Sequence, residues 1–98
     1  MSKIAILGAG ESGTGAALLA KVKGFDVFVS DMGSISTQYK NVLSQANIDF
    51  EEGQHSEERI LNVDEVIKSP GIPDKAPLIK KLYAQGTSVI SELECAAR

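Results

Sequence analysis

Ninety-eight residues with 43% apolar and 23% charged content describe one globular domain rather than a disordered or fibrous chain. Ten Lys and Arg against 13 Asp and Glu leave a formal charge of −3, without the basic excess that a phosphate backbone demands, so nucleic acid is excluded as a partner. One cysteine, Cys95, and one histidine, His55, exclude an internal disulfide and a His/Cys metal cluster.

Ile4, Ala5, Ile6 and Leu7 form a short continuous apolar run, the pattern of a strand buried on both faces. Gly8-Ala9-Gly10-Glu11-Ser12-Gly13 follows at once, and residues 14–23 then read as a helix too apolar to be exposed, stopped at Gly24. Val27, Phe28 and Val29 make a second strand that ends at Ser30 and Asp31. Tyr39, Val42, Leu43 and Ala46 share one face of a helix within residues 36–47, with Ser34 or Ser36 as its cap. A weaker third strand is expected over residues 48–51, one or two helical turns over 56–61, and a fourth strand over 65–68. Pro77 opens a last helix with Leu78, Ile79, Leu82 and Tyr83 as its apolar stripe and Gly86 as its stop, before a fifth strand at Ser88, Val89 and Ile90.

Strands alternating with helices imply parallel pairing through right-handed crossovers. The expected fold is therefore α/β, a Rossmann-like doubly wound open parallel sheet ordered 3-2-1-4-5. Aromatic residues make up only 5% and Trp is missing, so the core must come from Ile, Leu, Val and Ala. No apolar run approaches the ~18 residues of a membrane span and no secretory leader opens the chain, which gives the expectation of a cytoplasmic protein with no membrane partner.

In such a sheet a ligand binds beyond the carboxyl ends of the strands, where the order reverses. Two loops meet there: residues 8–13 and residues 69–73, Ser69-Pro70-Gly71-Ile72-Pro73. The spacing of Gly8, Gly10 and Gly13 between a strand and a helix suits close approach of a diphosphate to backbone N–H groups and a helix N-terminus; a plain packing turn is the alternative. Ser12 adds a hydroxyl, whereas the Glu11 carboxylate must turn to solvent beside a phosphate. The loop is not a nucleotide-triphosphate loop, because Thr14 stands where its lysine belongs. Asp31, 18 residues beyond Gly13, stands either where an acid bonds a ribose or base edge or as a turn residue. The two prolines around Gly71 make a stiff loop able to hold exposed N–H groups in place, or a simple strand-to-helix turn. His55 reads as a solvated loop residue and Cys95 as packed or incidental. No nucleophile, base or metal set emerges, so the residues by themselves describe a binding module.

Residues 8–13, the Ser-Pro-Gly-Ile-Pro loop and Ser91-Glu92-Leu93-Glu94 together resemble the N-terminal domain of the Mur ligases of bacterial peptidoglycan synthesis, nearest to the branch that adds D-glutamate. The resemblance covers the whole chain. It implies a UDP-binding domain for UDP-N-acetylmuramoyl-L-alanine, with the diphosphate against Gly8, Gly10, Glu11, Ser12 and Gly13 and the uracil near Asp31 and Met32. Ser69, Pro70, Gly71 and Ile72 would face the nucleotide from across the crevice. At Met32 this sequence departs from relatives that often carry a hydroxyl or other polar side chain. The resemblance also implies that ATP and magnesium are bound by a central domain, that a third domain receives the amino acid, and that the chain is a piece of a longer ligase with these domains in cis. Such a piece, holding no cofactor of its own, is expected to bind without catalysing. The competing expectation is a free-standing NAD-binding regulatory or dehydrogenase domain, which does not require the proline-glycine-proline loop.

Overall fold

The computed structural model describes residues 2–91. Its elements are β1 (Lys3–Leu7), α1 (Glu11–Val22), β2 (Asp26–Asp31), α2 (Thr37–Gln45), β3 (Asp49–Glu52), α3 (Glu57–Ile60), β4 (Glu65–Lys68), α4 (Pro77–Ala84) and β5 (Ser88–Ser91). All five strands pair in parallel in the order β3-β2-β1-β4-β5, as the alternation of elements predicts. The readings placed on Glu92, Leu93, Glu94 and Cys95 lie outside the described residues.

Side chains alternate across a strand, so each central strand serves two cores. Ile4, Ile6, Val27, Val29, Ile67 and Ile90 pack on one face with Ala17 and Ala20 of α1 and Leu43 of α2. Ala5, Leu7, Phe28 and Val66 pack on the other with Ile60 of α3 and Leu78, Ile79 and Leu82 of α4. The first two crossovers therefore cover one face and the last two the other. That reversal, between β1 and β4, opens the crevice at the carboxyl ends of the strands. Among the described residues, no helix is long and apolar enough to cross a membrane.

The helix ends follow a shared rule. After α1, Gly24 takes φ +94°, its N–H bonding the Lys21 carbonyl while the Phe25 N–H reaches Ala20. Asn47, at φ +59°, ends α2 in the same way, with its N–H on Ser44 and that of Ile48 on Leu43. Ser36 caps the start of α2 through a hydrogen bond from the Tyr39 N–H at 3.5 Å. Most boundaries shift by a residue or two from the sequence reading; the largest shift is at α1, which starts at Glu11, not Thr14. The extended Gly10 acts as its cap residue and accepts the first helical bond from the Thr14 N–H at 2.9 Å, which draws Glu11, Ser12 and Gly13 into the first turn.

Candidate functional site

The loop after β1 is fastened to the end of β2. Gly8 turns the chain at φ +105°, a backbone state that L side chains avoid, and its N–H donates to the Ser30 carbonyl at 2.8 Å. The Ala9 N–H donates to Asp31 Oδ2 at 2.8 Å, and Oδ1 of the same carboxylate accepts from the Gly33 N–H at 2.8 Å. Asp31 therefore acts as a turn residue and as a brace for the glycine loop, with both of its oxygens engaged.

Unlike α2, helix α1 has no side chain capping its N-terminus. Among the described residues, the N–H groups of Glu11, Ser12 and Gly13 find no acceptor. They end the helix that starts at the crevice, and the helix dipole adds positive potential at the same point. Both Glu11 and Ser12 are exposed, which leaves the Glu11 carboxylate in water. An ideal Cβ built on Gly10 meets nothing within 4 Å, so the space over this turn is open.

The facing loop is held from beneath by Lys68, the last residue of β4. Its buried ammonium donates to the Ile72 carbonyl at 2.9 Å and pairs with Asp74 at 3.3 Å. The free N–H groups expected of this loop are not found: that of Gly71 bonds Ser69 Oγ at 3.3 Å and that of Ile72 bonds the Ser69 carbonyl at 3.0 Å. Pro70 has no N–H to offer.

Between the loops lies a crevice of about 400 Å³. Of the residues singled out in the sequence, it is lined by Gly8, Gly10, Glu11, Ser12, Gly13, Asp31, Met32, Ser69 and Ile72. Pro70 and Gly71 are exposed and stand outside the lining. A second depression, of about 290 Å³, sits at the amino ends of the strands, where the Arg59 guanidinium stacks 3.7 Å over the Phe28 ring. It has no helix N-terminus to offer an anion.

His55 also lines the crevice, contrary to its reading as a solvated loop residue. Its Nδ1 lies 2.7 Å from Ser30 Oγ, and Ser30 is fully buried in β2. Burial pushes the imidazole pKa below the usual 6.5, against the opposing pull of Glu51 and Asp31. Glu51 sits at the other end of the same cluster. Burial works to raise its pKa, but hydrogen bonds from the Ser56 hydroxyl and N–H and from the Ser30 hydroxyl, with His55 nearby, hold it below the ordinary 4.5. The only signal for this cluster in the sequence is a lone serine in an otherwise apolar strand segment.

The arrangement can bind an anion through backbone N–H groups and the dipole of α1, and it can present one imidazole beside it. Among the described residues, no group of three or more His, Cys, Asp or Glu is placed to hold a metal ion. Comparison with known proteins gives a family match described as the MurD N-terminal domain, over residues 3–77. The UDP-N-acetylmuramoylalanine--D-glutamate ligase of Bacteroides thetaiotaomicron is 67% identical over all 98 residues, and that of Bacteroides fragilis is 62% identical over the same span. The chain covers 22% of the length of each of these relatives. Among solved structures, a murein peptide ligase from Psychrobacter arcticus superposes with a TM-score of 0.85 at 26% identity, over 99% of this chain and 20% of that one.

Proposed function

Because the chain belongs to the MurD N-terminal domain family, we propose that its crevice binds the UDP part of UDP-N-acetylmuramoyl-L-alanine for a ligase that adds D-glutamate in peptidoglycan synthesis. The observation that carries this reading is the uncapped start of α1, whose N–H groups, without an acceptor among the described residues, open onto the crevice. The diphosphate rests on the N–H groups of Glu11, Ser12 and Gly13, close over Gly10. A chain of charge −3 holds such an anion with oriented backbone dipoles instead of cationic side chains. The nucleoside lies toward Asp31 and Met32, with Ser69 and Ile72 as the opposite wall.

The rest of the reaction belongs to the longer protein. ATP and magnesium are held by a further domain in cis, where the substrate carboxylate is activated as an acyl phosphate for attack by the amino acid. This domain positions the nucleotide end and does not transfer a phosphoryl group.

Calorimetric titration with UDP-N-acetylmuramoyl-L-alanine, UDP and NAD tests the reading. Saturable heat is expected from the two uridine compounds. Gly10→Leu keeps the fold, since the added side chain meets no protein atom at its root. It should weaken UDP about a hundredfold, the loss of two hydrogen bonds to a charged group at about 1.5 kcal/mol each. Binding of NAD without UDP would overturn the reading in favour of a nicotinamide-nucleotide domain.

A further inference from the structure

The cluster behind the crevice fixes the protonation pattern of His55. Ser30 Oγ approaches three groups: Glu51 Oε2 at 2.8 Å, the Gln54 carbonyl at 3.1 Å and His55 Nδ1 at 2.7 Å. A serine hydroxyl has one proton to give. The Glu51 carboxylate is ionised, because Ser56 donates to it through both its N–H (2.7 Å) and its hydroxyl (2.5 Å) and its pKa is held low. An ionised carboxylate and a carbonyl only accept, so the Ser30 proton must point toward these oxygens. A 2.7 Å contact between Nδ1 and Oγ then requires the proton to sit on Nδ1. In the neutral ring this leaves Nε2 bare, an acceptor.

The neighbouring side chains on the β2 side of the crevice are less free to take that role. Each Asp31 oxygen already accepts a backbone N–H and has one remaining lone pair to offer, and Met32, 62% exposed, has no hydrogen-bonding group beyond a weak thioether. Nor does a phosphate suit His55, since its oxygens only accept and the nearby Asp31 and Glu51 repel it. Resting on the uridine-nucleotide reading above, we propose that His55 is a specificity-determining residue of the crevice, accepting through Nε2 a hydrogen bond from an N–H or O–H donor of the bound nucleoside. The donor is the imide N–H of the base or a ribose hydroxyl.

Two substitutions separate the ring's two edges. His55→Asn keeps an amide N–H near the Nδ1 position, facing Ser30, and removes the crevice acceptor. His55→Gln places an amide oxygen near the Nε2 position. The probe is UDP-N-acetylglucosamine, whose diphosphate diester keeps a constant charge over the pH range used. Calorimetry on the ninety-eight-residue chain should show His55→Asn binding about three- to tenfold more weakly, the worth of one neutral hydrogen bond. His55→Gln should restore affinity. Acidification from about pH 7.5 to 5.5 should weaken the parent chain, as Nε2 gains a proton, and leave His55→Gln flat. Glu51 and Asp31, the charged groups facing the ring, pull against burial, which still leaves the imidazole pKa below its usual value, so the loss sets in on the acid side of 6.5.

N3-methyl-UDP, 2′-deoxy-UDP and 3′-deoxy-UDP identify the donor: the analogue lacking it is discriminated by the parent chain and not by His55→Asn. Unchanged affinity in His55→Asn with an intact melting transition, or affinity that rises on acidification, overturns the inference and leaves the uridine reading standing. Absence of any uridine-nucleotide binding by the parent chain overturns both.

Discussion

Replacing Asp31 with alanine separates its service to the fold from any service to a ligand. The carboxylate accepts from two backbone N–H groups at 2.8 Å each, and the two would fare differently without it. Ala9 is 2% exposed, so its N–H would be left buried without an acceptor, which costs about 1.5–3 kcal/mol for a bond to a charged group. Gly33 is exposed and its N–H would turn to water, adding about 0.5 kcal/mol at most. The sum, about 1.5–3.5 kcal/mol, is a large fraction of the stability of a domain this size and corresponds to a fall in Tm of roughly 6–28 °C. Urea unfolding and calorimetry of Asp31→Ala at neutral pH measure it directly. A melting point within about 2 °C of the parent, together with weakened UDP binding, would refute the bracing role and return Asp31 to the position of a ligand contact.

Acid should destabilise the domain in two stages. Folding lowers the His55 pKa, so the unfolded chain holds that proton more tightly; stability is full above 6.5 and falls as pH drops below it and through the lower folded value. Folding also lowers the Glu51 pKa, so its contribution is present above 4.5 and is lost as pH falls through its own lower folded value. The urea midpoint of His55→Gln should accordingly be flatter than that of the parent chain between about pH 7 and 5.5, and an unchanged slope would contradict the assignment. Lys68→Met should release the loop over residues 69–74 while sparing the sheet. Amide exchange at Ile72 is expected to accelerate about fivefold, the equivalent of about 1 kcal/mol of local stability, and exchange at the parent rate would show that the ammonium does not hold the loop.

The sheet was legible because its strands are buried on both faces. Runs such as Ile4 to Leu7 and Val27 to Val29 have no polar side to confuse the period, and the element order then leaves few topologies. The start of α1 was less so. Gly10 to Gly13 reads as loop by propensity, yet the helix begins there because the Gly10 carbonyl accepts from Thr14 and Asp31 anchors the turn before it. The second of these is a contact between positions 22 apart in sequence, which no local pattern encodes. His55 was missed for a related reason. Residues 53–56 are polar and aperiodic, and what draws the imidazole inward is Ser30, 25 positions away in sequence and fully buried. The loop at residues 69–72 shows the converse. Its prolines announced rigidity correctly, but its N–H groups close on Ser69 instead of facing outward.

Gly10 gives the start of α1 no side chain, where serine or aspartate would stabilise an isolated helix by about 0.3 kcal/mol over glycine. Folding and occupancy are thereby made interdependent, because a phosphate seated at that position would itself complete the helix. At a ligand concentration a hundredfold above Kd, the linkage adds about 2.7 kcal/mol to the folded state. A variant with Gly10→Asp should therefore melt higher on its own and gain less from UDP than the parent chain does. Selection for binding an anion there would keep the domain less stable alone than its sequence length permits, and its resistance to unfolding would then track the supply of that ligand.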